Sequence, residues 1–274
     1  AAISVAHARA SEVGGKLAVC HVAHDLPDAP DEAARKISEI QSELHKMLEA
    51  TLGAAASGVE VFVPIGDTAK EIHDCAEQWN AELVVIGRPD NPGGILARLF
   101  RPKTVDKVLR YSPCAVLVTR RAPGTRRIIV GTDFSDPSMH VLAAAAAEQK
   151  RTGGAVYAIH CVPPAATLPI GDPAAGVLPS ASWDEIERAM LRRIEEASEA
   201  AKLVASPQII RDSAAAGLLQ AAKDLAADLV IVGTHGRGGL ARLALGSVAQ
   251  NVVNDAPCPV LVIRLEHDEH PSVL

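Results

Sequence analysis

The chain has 274 residues, a formal net charge of −6 and 48% apolar residues, yet only 3% aromatic ones. That length suits one large domain or two of ordinary size, and half of it is still enough to bury a core. The negative charge, relieved only by Arg120-Arg121 and Arg126-Arg127, argues against nucleic acid as a partner, since phosphate backbones need a basic face.

No apolar run approaches the length of a membrane span and no leader-like segment is visible, so a soluble, cytoplasmic protein without membrane insertion is expected. A core poor in aromatics must be built from Ala, Val, Leu and Ile, the mixture found where helices cover a parallel sheet. The five cysteines form no CxxC pair. Cys20 and Cys161 lie in apolar strand-like runs, and Cys114 and Cys258 just precede such runs, so buried, reduced thiols are expected.

In chain order, Ala1 to Val13 reads as a helix, Gly14 to Val22 turns into a strand, and an amphipathic helix follows near 31–52. Apolar strands are expected at Leu83–Gly87 and Ala115–Thr119. Arg127–Gly131 (RIIVG) is a strand ending in Gly-Thr-Asp. An Ala-rich helix spans Pro137 to Thr152 and stops at Gly153-Gly154. Val156–Val162 is a strand, and a Pro/Gly-rich loop covers 163–180. Ser182 then caps an amphipathic helix reaching about Leu203. A strand over Gln208–Asp212, a helix over Ala214–Ala226 and a strand over Leu229–Gly233 follow. A helix over Ser247–Asp255 and a strand over Val260–Arg264 complete the series.

The chain repeats itself. Gly14–Val22 matches Gly153–Cys161, Ala81–Gly87 matches Ala227–Gly233, and Ser112–Arg120 matches Ala256–Arg264, at offsets of 139, 146 and 144 residues. Three ordered matches mark a tandem duplication, with domains expected at 1–121 and 126–274. Strands alternating with helices imply an α/β fold with two doubly wound, Rossmann-like parallel sheets. The first copy lacks a counterpart of RIIVG, a strand that would be central. A similar gap is conceivable at the short Ser206-Pro207 connection in the second copy.

One segment carries chemistry. After the strand ending at Gly233 come Thr234-His235-Gly236, nine residues, and Gly246-Ser247-Val248. Glycines permit close approach of an anion. The helix starting at Ser247 offers free N–H groups and a positive dipole end. Arg237 and Arg242 are nearby cations. Neither GxxxxGK[ST] nor GxGxxG after a strand is present.

Gly-x-x-Gly-nine-Gly-Ser, Asp133-Phe134-Ser135 after the first strand, His160-Cys161 and Pro-Cys-Pro-Val-Leu-Val-Ile together resemble the universal stress protein family, in its tandem, ATP-binding form. The resemblance covers both copies. It implies five-stranded sheets in the order 3-2-1-4-5, and ATP, with or without Mg²⁺, as ligand of the second domain. By that likeness Gly233, Gly236, Gly246, Ser247 and Val248 wrap ribose and phosphates, with Arg237 near. Asp133 and the backbone around Cys161 lie at the adenosine end. His235 could touch a phosphate or serve as a turn residue, and the sequence leaves both open.

In the first copy Asp90 replaces the second glycine, and Pro102-Lys103 stand opposite Gly246-Ser247. A carboxylate repels phosphate and proline lacks a backbone donor, so this loop is expected to be degenerate. The main expectation is a nucleotide-dependent stress-response regulator that forms a homodimer and acts on a protein partner the sequence does not name. It would have no catalytic residues and at most slow ATP hydrolysis. A dimeric interaction scaffold without nucleotide is the alternative, and an adenylate-transferring enzyme a third reading. His21 and His24, or His267 and His270, have a spacing seen in metal sites, but no ligand set completes either pair.

Overall fold

A computed structural model describes residues 1–88, 102–119, 126–164, 182–234 and 245–264. The chain divides into two units, Ala1–Ala122 and Pro123–Leu274. The first contains α1 (Ala2–Glu12), β1 (Ala18–Cys20), α2 (Pro30–Leu52) and, after a 3₁₀ turn at Gly53–Gly58, β2 (Glu60–Phe62). It continues with α3 (Thr68–Gln78), β3 (Leu83–Gly87), α4 (Pro102–Tyr111) and β4 (Ala115–Thr119).

Local chemistry accounts for the helix starts. α2 opens with Pro30 in its first turn, followed by Asp31 and Glu32, which suit a free N-terminus and its dipole. Leu44 and Leu48, four residues apart, are its buried stripe. Asp67 caps α3, accepting from the Ala69 and Lys70 amides at 3.2 Å each.

β1 pairs in parallel with β2, and β3 with β4. Among the described residues of this unit no strand bridges β1 and β3. Leu83–Ile86 of β3 are accordingly only half-buried, whereas their counterparts Leu229–Val232 are buried. The apolar run is written for two covered faces.

The second unit contains β5 (Arg127–Gly131), α5 (Asp136–Thr152), β6 (Ala155–Cys161), α6 (Trp183–Ala200) and β7 (Ala205–Ile210). Then come α7 (Ala214–Asp224), β8 (Leu229–Gly233), α8 (Ser247–Asp255) and β9 (Val260–Ile263). All of its strand pairs are parallel, and the order is β7-β6-β5-β8-β9. Right-handed crossovers in that order put α5 and α6 on one face and α7 and α8 on the other. The contacts agree: α5 touches α6, and α7 touches α8. The core lies in the middle strands, where Ile129, Val130, Ala158, Val230 and Ile231 have no solvent exposure.

Two expectations are corrected. Ser206 and Pro207 are not a connection but strand residues, paired with Tyr157 and Ala158. Proline is tolerated there because β7 is at the end of the sheet. The chain reaches it without a gap, since α6 ends at Ala200 rather than at Leu203. Lys202 turns to φ +56° and the Leu203 amide donates back to Ser198 O at 2.8 Å. Secondly, all five cysteines are free, as expected, but half-buried rather than buried. Four sit at or beside strand ends and Cys75 is on a helix, so none reaches the centre of a core.

Candidate functional site

The crossover from β5 runs to β6 and that from β8 to β9, in opposite directions. The helices that follow, α5 and α8, therefore cover opposite faces of the sheet, and the carboxyl ends of β5 and β8 form the switch point at which open α/β sheets hold ligands in a crevice. Most of the residues expected at a site fall at its rim.

On the β8 side, Gly233 is the last strand residue, and Thr234 after it is buried. The Gly246 amide donates to Thr234 O at 2.8 Å, while the Thr234 amide donates to Ile263 O at 3.0 Å. This bond fastens the two ends of the glycine loop and sets the start of α8 beside the end of β8. Gly246 is the N-cap with φ −61° and ψ 142°. Ser247 and Val248 are the first helical residues, whose amides have no partner within the helix. Those amides and the positive end of the helix dipole favour an anion. His235, Gly236, Arg237 and Arg242 lie outside the described residues.

On the β5 side, Asp133 follows the strand and is half-buried. Its Oδ1 accepts from the Ser135 amide at 3.0 Å and from Ser135 Oγ at 2.5 Å. The carboxylate thus braces the turn into α5, and Ser138 Oγ donates to Ser135 O at 2.7 Å. Between them Phe134 is held at φ +63°, in the left-handed region, a conformation that costs a bulky side chain about 1–3 kcal/mol. Tertiary contacts hold it there. The Phe134 ring lies 4.3 Å from that of His160, and the Arg193 guanidinium sits 4.6 Å from its centroid. His160 is buried, and its Nδ1 donates to Thr132 O at 2.8 Å, which fixes the ring.

Cys161 ends β6, two residues beyond the Gly131–Ile159 pair, so its backbone reaches the same end of the sheet as Asp133. Its thiol points away to other tasks. Sγ donates to Ala214 O at 3.7 Å and packs where a Cβ on Gly217 would come within 2.7 Å. Burial, and next the charge of Asp212, push this thiol up to about 12. It stays protonated near neutrality, a packing group rather than a nucleophile.

The architecture thus brings Asp133, Cys161, Gly233, Gly246, Ser247 and Val248 to one end of one sheet. Sequence reading missed Phe134, His160 and Arg193 as a packed group. His160-Cys161 was visible as a pair, but Arg193 lies on a helix whose orientation no local pattern reveals. Among the described residues no cluster of three or more His, Cys, Asp or Glu could hold a metal. No helix among them is long and apolar enough to cross a membrane.

A doubly wound parallel sheet with a helix start at its switch point defines a Rossmann-like α/β domain. The chain belongs to the universal stress protein family, which it matches twice, over residues 1–120 and 124–264. It is therefore a tandem member. A Thermus aquaticus universal stress protein is 33% identical over 147 residues, covering 51% of this chain and 98% of the relative. Universal stress protein Mb2019 of Mycobacterium bovis is 28% identical over 246 residues, 84% of this chain and 73% of its own. The solved structure of a universal stress protein from Archaeoglobus fulgidus shares the fold over 94% of this chain and 89% of its own, with a TM-score of 0.62 at 22% identity.

Proposed function

We propose that the second unit binds ATP in the crevice beyond β5 and β8, and that this occupancy regulates a stress response. In this reading Gly233, Gly246, Ser247 and Val248 receive the phosphates and ribose, Asp133 and the Cys161 backbone face the adenosine end, and His235, Gly236 and Arg237 complete the loop. The observation that carries it is the bond from Gly246 N to Thr234 O at 2.8 Å. It stations a helix N-terminus at a strand end without spending the amides of Ser247 and Val248 on the loop itself.

The residues present suit the group. Gly246 has a φ any residue adopts, so a glycine is not needed there for backbone reasons. It does keep a side chain out of the place an anion would occupy. In the first unit the corresponding helix opens with Pro102, which has no amide hydrogen to offer. That unit is assigned a supporting role without ATP. No residue is assigned to catalysis, so hydrolysis is expected to be slow at most, and a homodimer is the expected assembly.

Calorimetric titration of the full chain with ATP, with and without Mg²⁺, tests the reading. One ATP per chain is expected. Two per chain would overturn the assignment of the first unit. No heat and no competition by ADP or AMP would overturn nucleotide binding and leave a dimeric scaffold.

A further inference from the structure

Resting on the nucleotide reading above, we propose that Arg193 is a positioning residue for the adenosine end of the site. It clamps Phe134 so that the turn after β5 presents the Asp133 carboxylate in one direction.

The turn is bonded along its length. The Thr132 amide donates to Ile159 O at 2.9 Å, and the Phe134 amide donates to Thr132 Oγ1 at 3.3 Å. The Ser135 amide then turns back to Asp133 Oδ1 at 3.0 Å. With Phe134 at φ +63° that amide is aimed at the carboxylate. Rotation of Phe134 to an ordinary negative φ would swing it away and leave the carboxylate to reorient. Glycine adopts such a φ freely, whereas phenylalanine is strained there, so the ring must be held from outside the turn.

Two side chains hold it. His160, fixed by its Nδ1 bond to Thr132 O at 2.8 Å, lies 4.3 Å from the Phe134 ring, centroid to centroid. The Arg193 guanidinium lies 4.6 Å from the ring centroid, within the range of a cation–π attraction. Arg193 is exposed and belongs to α6, the next helix after β6 and Cys161. One helix thus follows the strand end assigned to adenosine and steadies the turn that carries Asp133.

The duplication separates the two sides of the clamp. His160 has a counterpart in His21, at the offset of 139 residues. In the matching helices α2 and α6 the buried pairs Leu44 and Leu48, and Ile194 and Ser198, have the same spacing. Aligning them places Glu43 where Arg193 stands. The histidine recurs, but the cation gives way to a carboxylate in the unit that has Asp90 and Pro102 in place of loop glycines. A ring face that attracts a guanidinium repels an anion. The cationic half of the clamp therefore belongs to the second unit.

The effect on binding is one of population. Apparent affinity falls with the fraction of molecules whose site is correctly arranged. Arg193→Met keeps the apolar stem and removes the charge, while Arg193→Lys restores a cation. In calorimetric titration of the full chain, ATP should bind about threefold more weakly to Arg193→Met and recover in Arg193→Lys. AMP should lose the same factor, because the defect is at the adenosine end. In a Phe134→Gly background, where the turn needs no clamp, Arg193→Met should have no further effect. Without nucleotide, the Ser135 amide should exchange with deuterium about threefold faster in Arg193→Met than in the wild type. A greater loss for ATP than for AMP would place Arg193 on the phosphates and overturn the proposal. So would unchanged ATP affinity, unchanged Ser135 exchange, or an equal loss in the Phe134→Gly background. Those outcomes leave the nucleotide reading standing, whereas absence of ATP binding by the wild type would overturn both.

Discussion

Replacing Gly246 by Asp tests the proposed phosphate site while leaving the fold in place. The backbone at 246 has φ −61° and ψ 142°, open to any residue, and aspartate retains the amide that bonds Thr234 O. Aspartate is also a favoured N-cap, so α8 should gain a few tenths of a kcal/mol. Its carboxylate would occupy the helix N-terminus and face the phosphates. At about 5 Å and an effective dielectric of about 20, one such pair of charges costs about 3 kcal/mol, or roughly a hundredfold in affinity. Titration calorimetry should therefore show ATP affinity reduced about a hundredfold, with Tm equal to or slightly above that of the wild type. Unchanged affinity would refute the placement of phosphate at this helix, and a fall of several degrees in Tm would refute the backbone argument. Gly246→Pro would be a poorer probe, because it also deletes the bond to Thr234.

Two further outcomes follow from the packing and charges. A Cβ on Gly217 would lie 2.7 Å from Cys161 Sγ and 3.1 Å from Ile210 Cγ2, so Gly217→Ala should destabilise the second unit by about 1–3 kcal/mol. Adding Cys161→Ala should recover most of the loss, and no recovery in denaturant titration would show that the strain lies elsewhere. Asp67 receives a hydrogen bond from Lys107 and then one from the Lys70 amide, which hold its carboxyl below its ordinary 3.8. Its contribution to stability is thus fully present above pH 3.8 and is lost as the pH falls through the folded value. Tm measured against pH should therefore fall less steeply below about pH 4 in Asp67→Asn than in the wild type. Because the carboxylate is exposed the effect is small, and identical curves would show that the Lys107 pair contributes nothing.

Where the apolar pattern was long and bounded by capping or turn residues, the sequence located the element closely. Arg127–Gly131 and Ser247–Asp255 have the expected limits, the latter because Gly246 and Ala256 both leave the helical region. Ser182 caps α6 as expected, with Glu185 completing a capping box. The edge strand β7 was misplaced by three residues at its start, because Pro207 reads as a break unless one knows that it stands at the end of a sheet. The candidate site was legible as a motif only on the β8 side, where glycines and a helix start lie within one stretch of chain.

The sequence by itself determined the duplication, the alternation of strands and helices, and the difference between the two glycine loops, since each is a matter of order and local propensity. Tertiary structure alone decided which distant residues meet. It joined Gly246 to Thr234 across the loop, forced Phe134 to φ +63° between His160 and Arg193, and set the thiol of Cys161 against Gly217. Those encounters depend on the parallel pairing of β5 with β6 and β8 and on the crossover of each helix. Such long-range geometry is fixed when the sheet and its helices pack, and leaves no periodic trace in the chain.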